Sequence, residues 1–260
     1  MTMRIHHLNC ATMRPPLAPA MVAHVLLVER PEGLLLVDSG FGTDDLADPR
    51  RLGLPFQAAV RPALAPAETA AAQVRALGFD PADVTDIALT HLDLDHAGGI
   101  GDFPAARVHV HAAELAAAQA PPLRERARYV AAQWAHGPRW ETHPEAGDTW
   151  FGFDAVTVLG DDVVLVPLPG HTRGHSGVAV RRTDGHWLLH AGDAFFSVGQ
   201  IAAAPHCPAA LAVFQVLMAV NNSQRRANLD RLRELALTHR PDVTVFCAHD
   251  ATQLKELAGA

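Results

Sequence analysis

Four short apolar runs in this chain end on histidine or aspartate, and that recurrence limits the fold more than any other feature. Asp86 to Thr90 runs into His91-Leu-Asp93-Leu-Asp95-His96-Ala-Gly98-Gly99. Val163 to Leu168 leads to Pro169-Gly-His171-Thr-Arg-Gly-His175. Trp187 to His190 leads to Ala-Gly-Asp193, and Val243 to Cys247 leads to Ala-His249-Asp250. Short apolar runs bounded by turn residues read as strands buried on both faces. Strands that each carry a polar group at the C-terminal end suit a layered fold, which builds its site where such ends converge. In an extended segment alternate side chains share a face, so His91, Asp93 and Asp95 can converge. His96 can join them if the chain turns at the glycines.

The remaining segments fit the same plan. Met21 to Glu29 and Leu34 to Val37, joined by Pro31-Glu-Gly33, read as a hairpin that stops at the bend Asp38-Ser-Gly-Phe-Gly42. A loop rich in Pro and Arg follows to about Pro66. Ala67 to Leu77 has helical period and Gly78 ends it. Arg107 to His111 alternates like a strand. Ala112 to Gln119 and Pro121 to His136 read as helices split by Pro121-Pro122. Val156 to Leu159 and Gly177 to Arg182 add strands; Pro208 to Val220 and Ser223 to Thr238 add helices. Each half therefore carries strands followed by helices. The expected fold class is α/β, a four-layer αββα sandwich. It forms one domain over residues 1–260, with a helical insertion near 112–147.

Composition narrows the function. A net charge of −7 with no basic stripe argues against nucleic acid. The longest apolar runs, such as Leu211 to Val220, fall short of the roughly 20 residues of a membrane span, and the first residues have no secretory pattern. Cys10, Cys207 and Cys247 are odd in number with no CxxC spacing, so they read as reduced thiols in a cytoplasmic protein. Sixteen histidines, clustered near Asp and Gly, point instead to a metal site. The expected partner is a small-molecule substrate; a homodimer is compatible with the sequence.

The order Leu35-Leu-Val-Asp38-Ser-Gly40, Thr90-His-Leu-Asp-Leu-Asp-His96, Pro169-Gly-His171-Thr, Gly192-Asp193 and His249 resembles the metallo-β-lactamase superfamily over most of the chain. The resemblance implies an αββα sandwich with one or two metal ions between the sheets. One ion takes His91, Asp93 and His171, and the second takes Asp95, His96 and His249. Asp193 bridges them together with a hydroxide, and Asp38 orders the metal loop. The Ala97-Gly98-Gly99 continuation is similar to the N-acyl homoserine lactonase branch of lactonases and esterases. That branch has a tyrosine three residues after the bridging aspartate, where this chain has Phe196. The only tyrosine is Tyr129, in the expected insertion.

A second departure is Asp93, where the family usually has histidine, and it is similar to the flavodiiron pattern. A carboxylate is a harder ligand than imidazole, so it shifts preference from zinc toward Fe or Mn. Two divalent ions are expected, zinc first. Asp93, Asp95, Asp193 and one hydroxide would neutralise them, which predicts a substrate without charge. The function expected is metal-dependent hydrolysis of an ester or lactone by the bridging hydroxide, with Asp95 passing a proton to the leaving group. Alternatives are a glyoxalase II-like thioesterase, a phosphodiester or phosphotriester hydrolase and an iron-binding redox protein; a β-lactamase fits least. Phe41, Phe195 and Phe196, beside motif loops, are expected to wall the substrate pocket. His175 is expected to support the site, and His109 and His111 to be structural. Arg124-Glu-Arg-Ala-Arg128 reads as a solvated helix face rather than an anion site.

Overall fold

The computed structural model describes residues 4–144 and 147–259. Two six-stranded sheets lie face to face. The first holds β1 (Ile5–Met13), β2 (Met21–Arg30), β3 (Gly33–Val37), β4 (Val84–Ala88), β5 (Arg107–His111) and β6 (Arg139–His143) in that order. The second holds β7 (Asp148–Trp150), β8 (Phe153–Leu159), β9 (Val163–Pro167), β10 (Ser176–Arg181), β11 (Trp187–His190) and β12 (Val243–Phe246). Between the strands in sequence run α1 (Thr43–Ala47), α2 (Leu54–Val60), α3 (Ala70–Ala76), α4 (Leu94–Ala97), α5 (Ala112–Gln119), α6 (Ala209–Met218) and α7 (Asn222–Thr238), and α8 (Ala251–Ala258) follows the last strand.

Both faces of each sheet are covered, which is why the strand sequences are apolar almost throughout. On β3 alternate residues divide the work. Leu35 and Val37 pack inward against Leu165, Val178 and Phe246 of the second sheet. Leu34 and Leu36 pack outward with Val74 of α3 and Leu115 of α5. Behind the second sheet, Leu232 and Leu235 of α7 cover Val166, Leu189 and Val245. These layers are the αββα sandwich.

Strand direction brings the motif loops together. Strands β3, β4 and β5 are parallel, so Asp38 and the His91 loop leave the same edge of the first sheet. In the second sheet β9 and β11 are both antiparallel to β10, and β11 is parallel to β12. The loops after β9, β11 and β12 therefore also leave one common edge.

The region expected to be a helical insertion is mostly something else. Ala112–Gln119 is helix. Residues 123–128 form consecutive turns and only Ala131–Trp134 winds, as a short 3-10 helix. Arg139–His143 then pairs parallel with β5 and extends the sheet. Pro121-Pro122 removes two backbone donors in a row, and a single 3-10 turn is all that follows. Residues 145 and 146 lie outside the described residues. The segment 43–60, expected as loop, carries the short helices α1 and α2, and β1 and α8 escaped the sequence reading.

Candidate metal centre

The chain turns abruptly after β3, and Asp38 takes a left-handed φ of 60° that non-glycine residues seldom adopt. Its carboxylate repays the strain with three hydrogen bonds. Oδ1 accepts from the Thr90 amide at 2.7 Å; Oδ2 accepts from Thr90 Oγ1 and from His96 Nδ1, each at 2.8 Å. Burial raises the Asp38 carboxyl, but the neighbouring His96 outweighs it and holds the pKa at about 2.

These bonds settle which ring nitrogens face inward. Thr90 Oγ1 spends its proton on Asp38, so it accepts from His91 Nδ1 at 2.9 Å. His249 Nδ1 donates to the Val22 carbonyl at 2.8 Å. With Nδ1 protonated on His91, His96 and His249, each Nε2 turns a lone pair to the centre. His91 and Asp93 share a face as extended residues. Asp95 and His96 are presented by the single turn of α4, not by strand alternation.

Three overlapping groups result: His91, Asp93 and His171; His91, His96 and Asp193; Asp95, His96 and His249. Asp193 stands between them. Its Oδ2 lies 3.3 Å from His171 Nε2 and 3.9 Å from His91 Nε2. Its Oδ1 lies 3.3 Å from His96 Nε2 and 3.0 Å from His249 Nε2. Asp93 Oδ2 is 3.0 Å from His171 Nε2, and Asp95 Oδ2 is 3.7 Å from His249 Nε2.

This arrangement fits divalent cations. His91 Nε2, His96 Nε2 and Asp193 Oδ1 are buried and have no hydrogen-bond partner. A neutral imidazole lone pair facing a carboxylate oxygen is repulsive, and a cation between them relieves it. The electrostatics agree. Burial disfavours charge on His96 and His249, yet Asp193 and Asp95, joined at His96 by Asp38, raise both above the usual histidine range. Burial likewise raises Asp193, but His249, His96 and His171 hold it well below the usual carboxylate range.

Supporting residues lock the ligand loops. His175 Nδ1 donates to the Leu168 carbonyl, and its Nε2 accepts the Asp193 amide at 2.9 Å. Gly192, at φ 52°, precedes Asp193; a Cβ there would sit 2.6 Å from His175 Nε2. Glu114 is fully buried and accepts from the Leu92 amide, the Gly174 amide and Tyr129 Oη. It ties the His91 loop to the His171 loop. Nothing in the sequence marks it, since a single glutamate in a helix carries no motif.

Arg128 carries no motif either. It is buried, with Nε 3.4 Å from Asp93 Oδ1 and with Nη1 and Nη2 donating to the carbonyls of His171 and Met218. Burial raises the Asp93 carboxyl, but Arg128 first, then His91 and His171, pull it well below the usual range. This corrects two expectations. Arg124–Arg128 is not a solvated helix face, because the segment is a run of turns against the site. The site also gains one positive charge that the neutral sum omitted. The available signal was Asp93 itself, since a carboxylate in place of imidazole calls for a nearby cation.

The centre lies at the floor of a cleft of about 570 Å³, bordered by Asp93, Asp95, Asp193, His171 and His249. Met13, Leu52, Phe56, Val60, Phe196 and Phe214 form apolar wall. Phe196 sits edge-on to His249, ring centroids 4.7 Å apart. Phe195 does not reach the cleft. It packs in the core between the second sheet and α7, because consecutive residues point to opposite sides. Phe41 also stays out of the wall and packs behind it against Phe56. His109 hydrogen-bonds Asp86 and His143, away from the centre.

Comparison with known proteins agrees with this geometry. The family model described as metallo-beta-lactamase superfamily matches residues 18–249. A probable metallo-hydrolase of Mycobacterium tuberculosis is 49% identical over 252 residues, 95% of this chain and 80% of the relative. An N-acyl homoserine lactonase of Rhizobium johnstonii is 32% identical over 174 residues, 66% of this chain and 64% of its own length. A solved N-acyl homoserine lactone hydrolase, with product bound at its catalytic metal centre, superposes with a TM-score of 0.74 at 19% identity. That superposition covers 98% of this chain and 95% of the other, and it bears on the fold. With its matched family model, its fold and its converging His and Asp side chains, this chain belongs to the metallo-β-lactamase superfamily.

Proposed function

We propose that this protein is a metal-dependent hydrolase that opens an ester or lactone bond. The observation that carries this reading is the set of interlocking groups around Asp193 at the floor of a largely apolar cleft. His91, Asp93 and His171 would hold one divalent ion, and Asp95, His96 and His249 the other, with Asp193 shared. When bound, the two ions supply a Lewis acid for the substrate carbonyl and an activated water as nucleophile. Zinc is the ion we assign first, with Fe and Mn favoured by Asp93 as alternatives.

The protein side chains do the rest. Asp38, Thr90 and the Val22 carbonyl hold the imidazoles in the ligating tautomer. Asp95 borders the cleft with its side chain 12% exposed, placed to carry a proton to the leaving alkoxide. Phe196 and the apolar wall favour a partly hydrophobic acyl group. The one phenol of the chain, Tyr129, is engaged with Glu114, so it is not free to steady a carbonyl oxygen. We take residues 1–260 to work as one unit. We place that unit in the cytoplasm, where its free cysteines Cys10, Cys207 and Cys247 would stay reduced. No helix among the described residues is long and apolar enough to cross a membrane.

A panel of acyl lactones, aryl esters, thioesters and phosphotriesters, run on protein reconstituted with Zn, Mn or Fe, tests the reading. Lactone or ester turnover that disappears with chelator and in His96→Ala is expected. Phosphotriester turnover far above both would move the chemistry to another bond.

A further inference from the structure

The run Arg124-Glu-Arg-Ala-Arg128 supplies a continuous stretch of the cleft border. Its charges are not all used within the protein. Arg128 stands beside Asp93, and Glu125 is paired with Arg173 at 2.8 Å. Arg124 and Arg126 are exposed at the cleft, and among the described residues no carboxylate lies within ion-pairing distance of either. Arg124 makes only a 3.5 Å contact from Nη2 to the Ala219 carbonyl. A further arginine of the border, Arg51, is taken by Asp44 at 2.9 Å. Two exposed arginines without a carboxylate partner thus border the cleft of a chain whose net charge is −7. Much of the remaining border is apolar, Met13, Leu52, Val60 and Phe196 among it. With Arg128 beside Asp93, the floor has one positive charge more than the neutral sum of ions, hydroxide and carboxylates, which favours an anion nearby.

We propose that Arg124 and Arg126 form an anion subsite, so that the substrate is an ester or lactone carrying an oxyanion, carboxylate or phosphate, away from the scissile bond. The guanidinium fork matches such groups in shape as well as charge. The subsite rests on the hydrolase reading above and deepens it. Both arginines are exposed, so their effect is screened by salt and modest in size.

The test uses aryl esters identical except at the far end of the acyl chain, which carries a carboxylate, a phosphate or an uncharged primary amide. The metal-loaded protein should turn over the anionic esters with kcat/KM about five- to tenfold above the amide, through KM, at low salt. The ratio should fall toward one in about 0.5 M NaCl. It should fall to one in Arg124→Gln/Arg126→Gln and invert in Arg124→Glu/Arg126→Glu. Using the ratio within each variant cancels any loss of folded or loaded protein. A parent ratio of one or below, or a ratio unmoved by both double variants, overturns the subsite while leaving the hydrolase reading intact. Turnover of none of the esters overturns the hydrolase reading and the subsite together.

Discussion

Arg128→Gln should destabilise the metal-free protein far more than a surface substitution does. The guanidinium is enclosed, its side chain 7% exposed and that of Asp93 9%. Removing it leaves the Asp93 carboxylate buried without its cation, and breaking one side of a buried pair costs about 3–5 kcal/mol. The Met218 carbonyl also loses its 2.6 Å donor, whereas the His171 carbonyl keeps the Val220 amide at 3.0 Å. Taking about 3 kcal/mol as the net, and about 2–4 °C per kcal/mol for a chain of this size, Tm should drop by roughly 6–12 °C. Arg128→Lys, which keeps the charge, should lose about half of that. Asp93→Asn/Arg128→Gln should be milder than the sum of its parts, with a coupling of about 1.5–3 kcal/mol. The sign with pH follows from the lowered Asp93 pKa: the pair stabilises the fold above the ordinary carboxylate range and is lost as pH falls. The deficit of Arg128→Gln should therefore hold from neutral pH down to the ordinary carboxylate range and shrink only below it. Thermal melts of chelator-treated protein decide the matter. A Tm for Arg128→Gln within about 2 °C of the parent, or strict additivity in the cycle, would refute the counter-charge argument.

Three further predictions concern the centre itself. Asp93→His should move metal loading from a mixed Zn, Mn and Fe buffer toward zinc, because imidazole is the softer ligand; unchanged metal ratios by elemental analysis would contradict it. Asp38→Asn puts an amide where His96 Nδ1 and Thr90 need an acceptor, and should weaken metal affinity about 10–100-fold in a chelator competition. Phe196→Tyr adds a phenol beside the His249 ring and should raise kcat/KM on an acyl lactone about 10-fold, or about 1.4 kcal/mol of barrier. A lactone rate unchanged by this variant would mean that the carbonyl oxygen does not approach Phe196.

The strands and the ligand types were legible in the chain because both obey short-range rules. Leu34 to Val37 must be buried on two faces, and His91, His171, Asp193 and His249 each follow such a run within a few residues of its end. What depends on contacts across the chain was not legible. Phe195 and Phe196 are identical neighbours, and only the packing of α7 on the second sheet sends one to the core and the other to the cleft. Asp95 looks like a continuation of the alternation at His91 and Asp93, with His96 brought in by a turn at the glycines. The turn of α4 instead carries them to the other side of Asp193. Arg128 and Glu114 have no local signature at all. Each acquires its role from a partner far along the chain: His171 and Met218 for the first, Leu92 and Gly174 for the second. Local sequence sets which groups a strand end offers; the charge and the depth at which they work are decided by long-range packing, because burial and counter-charge belong to the folded surroundings.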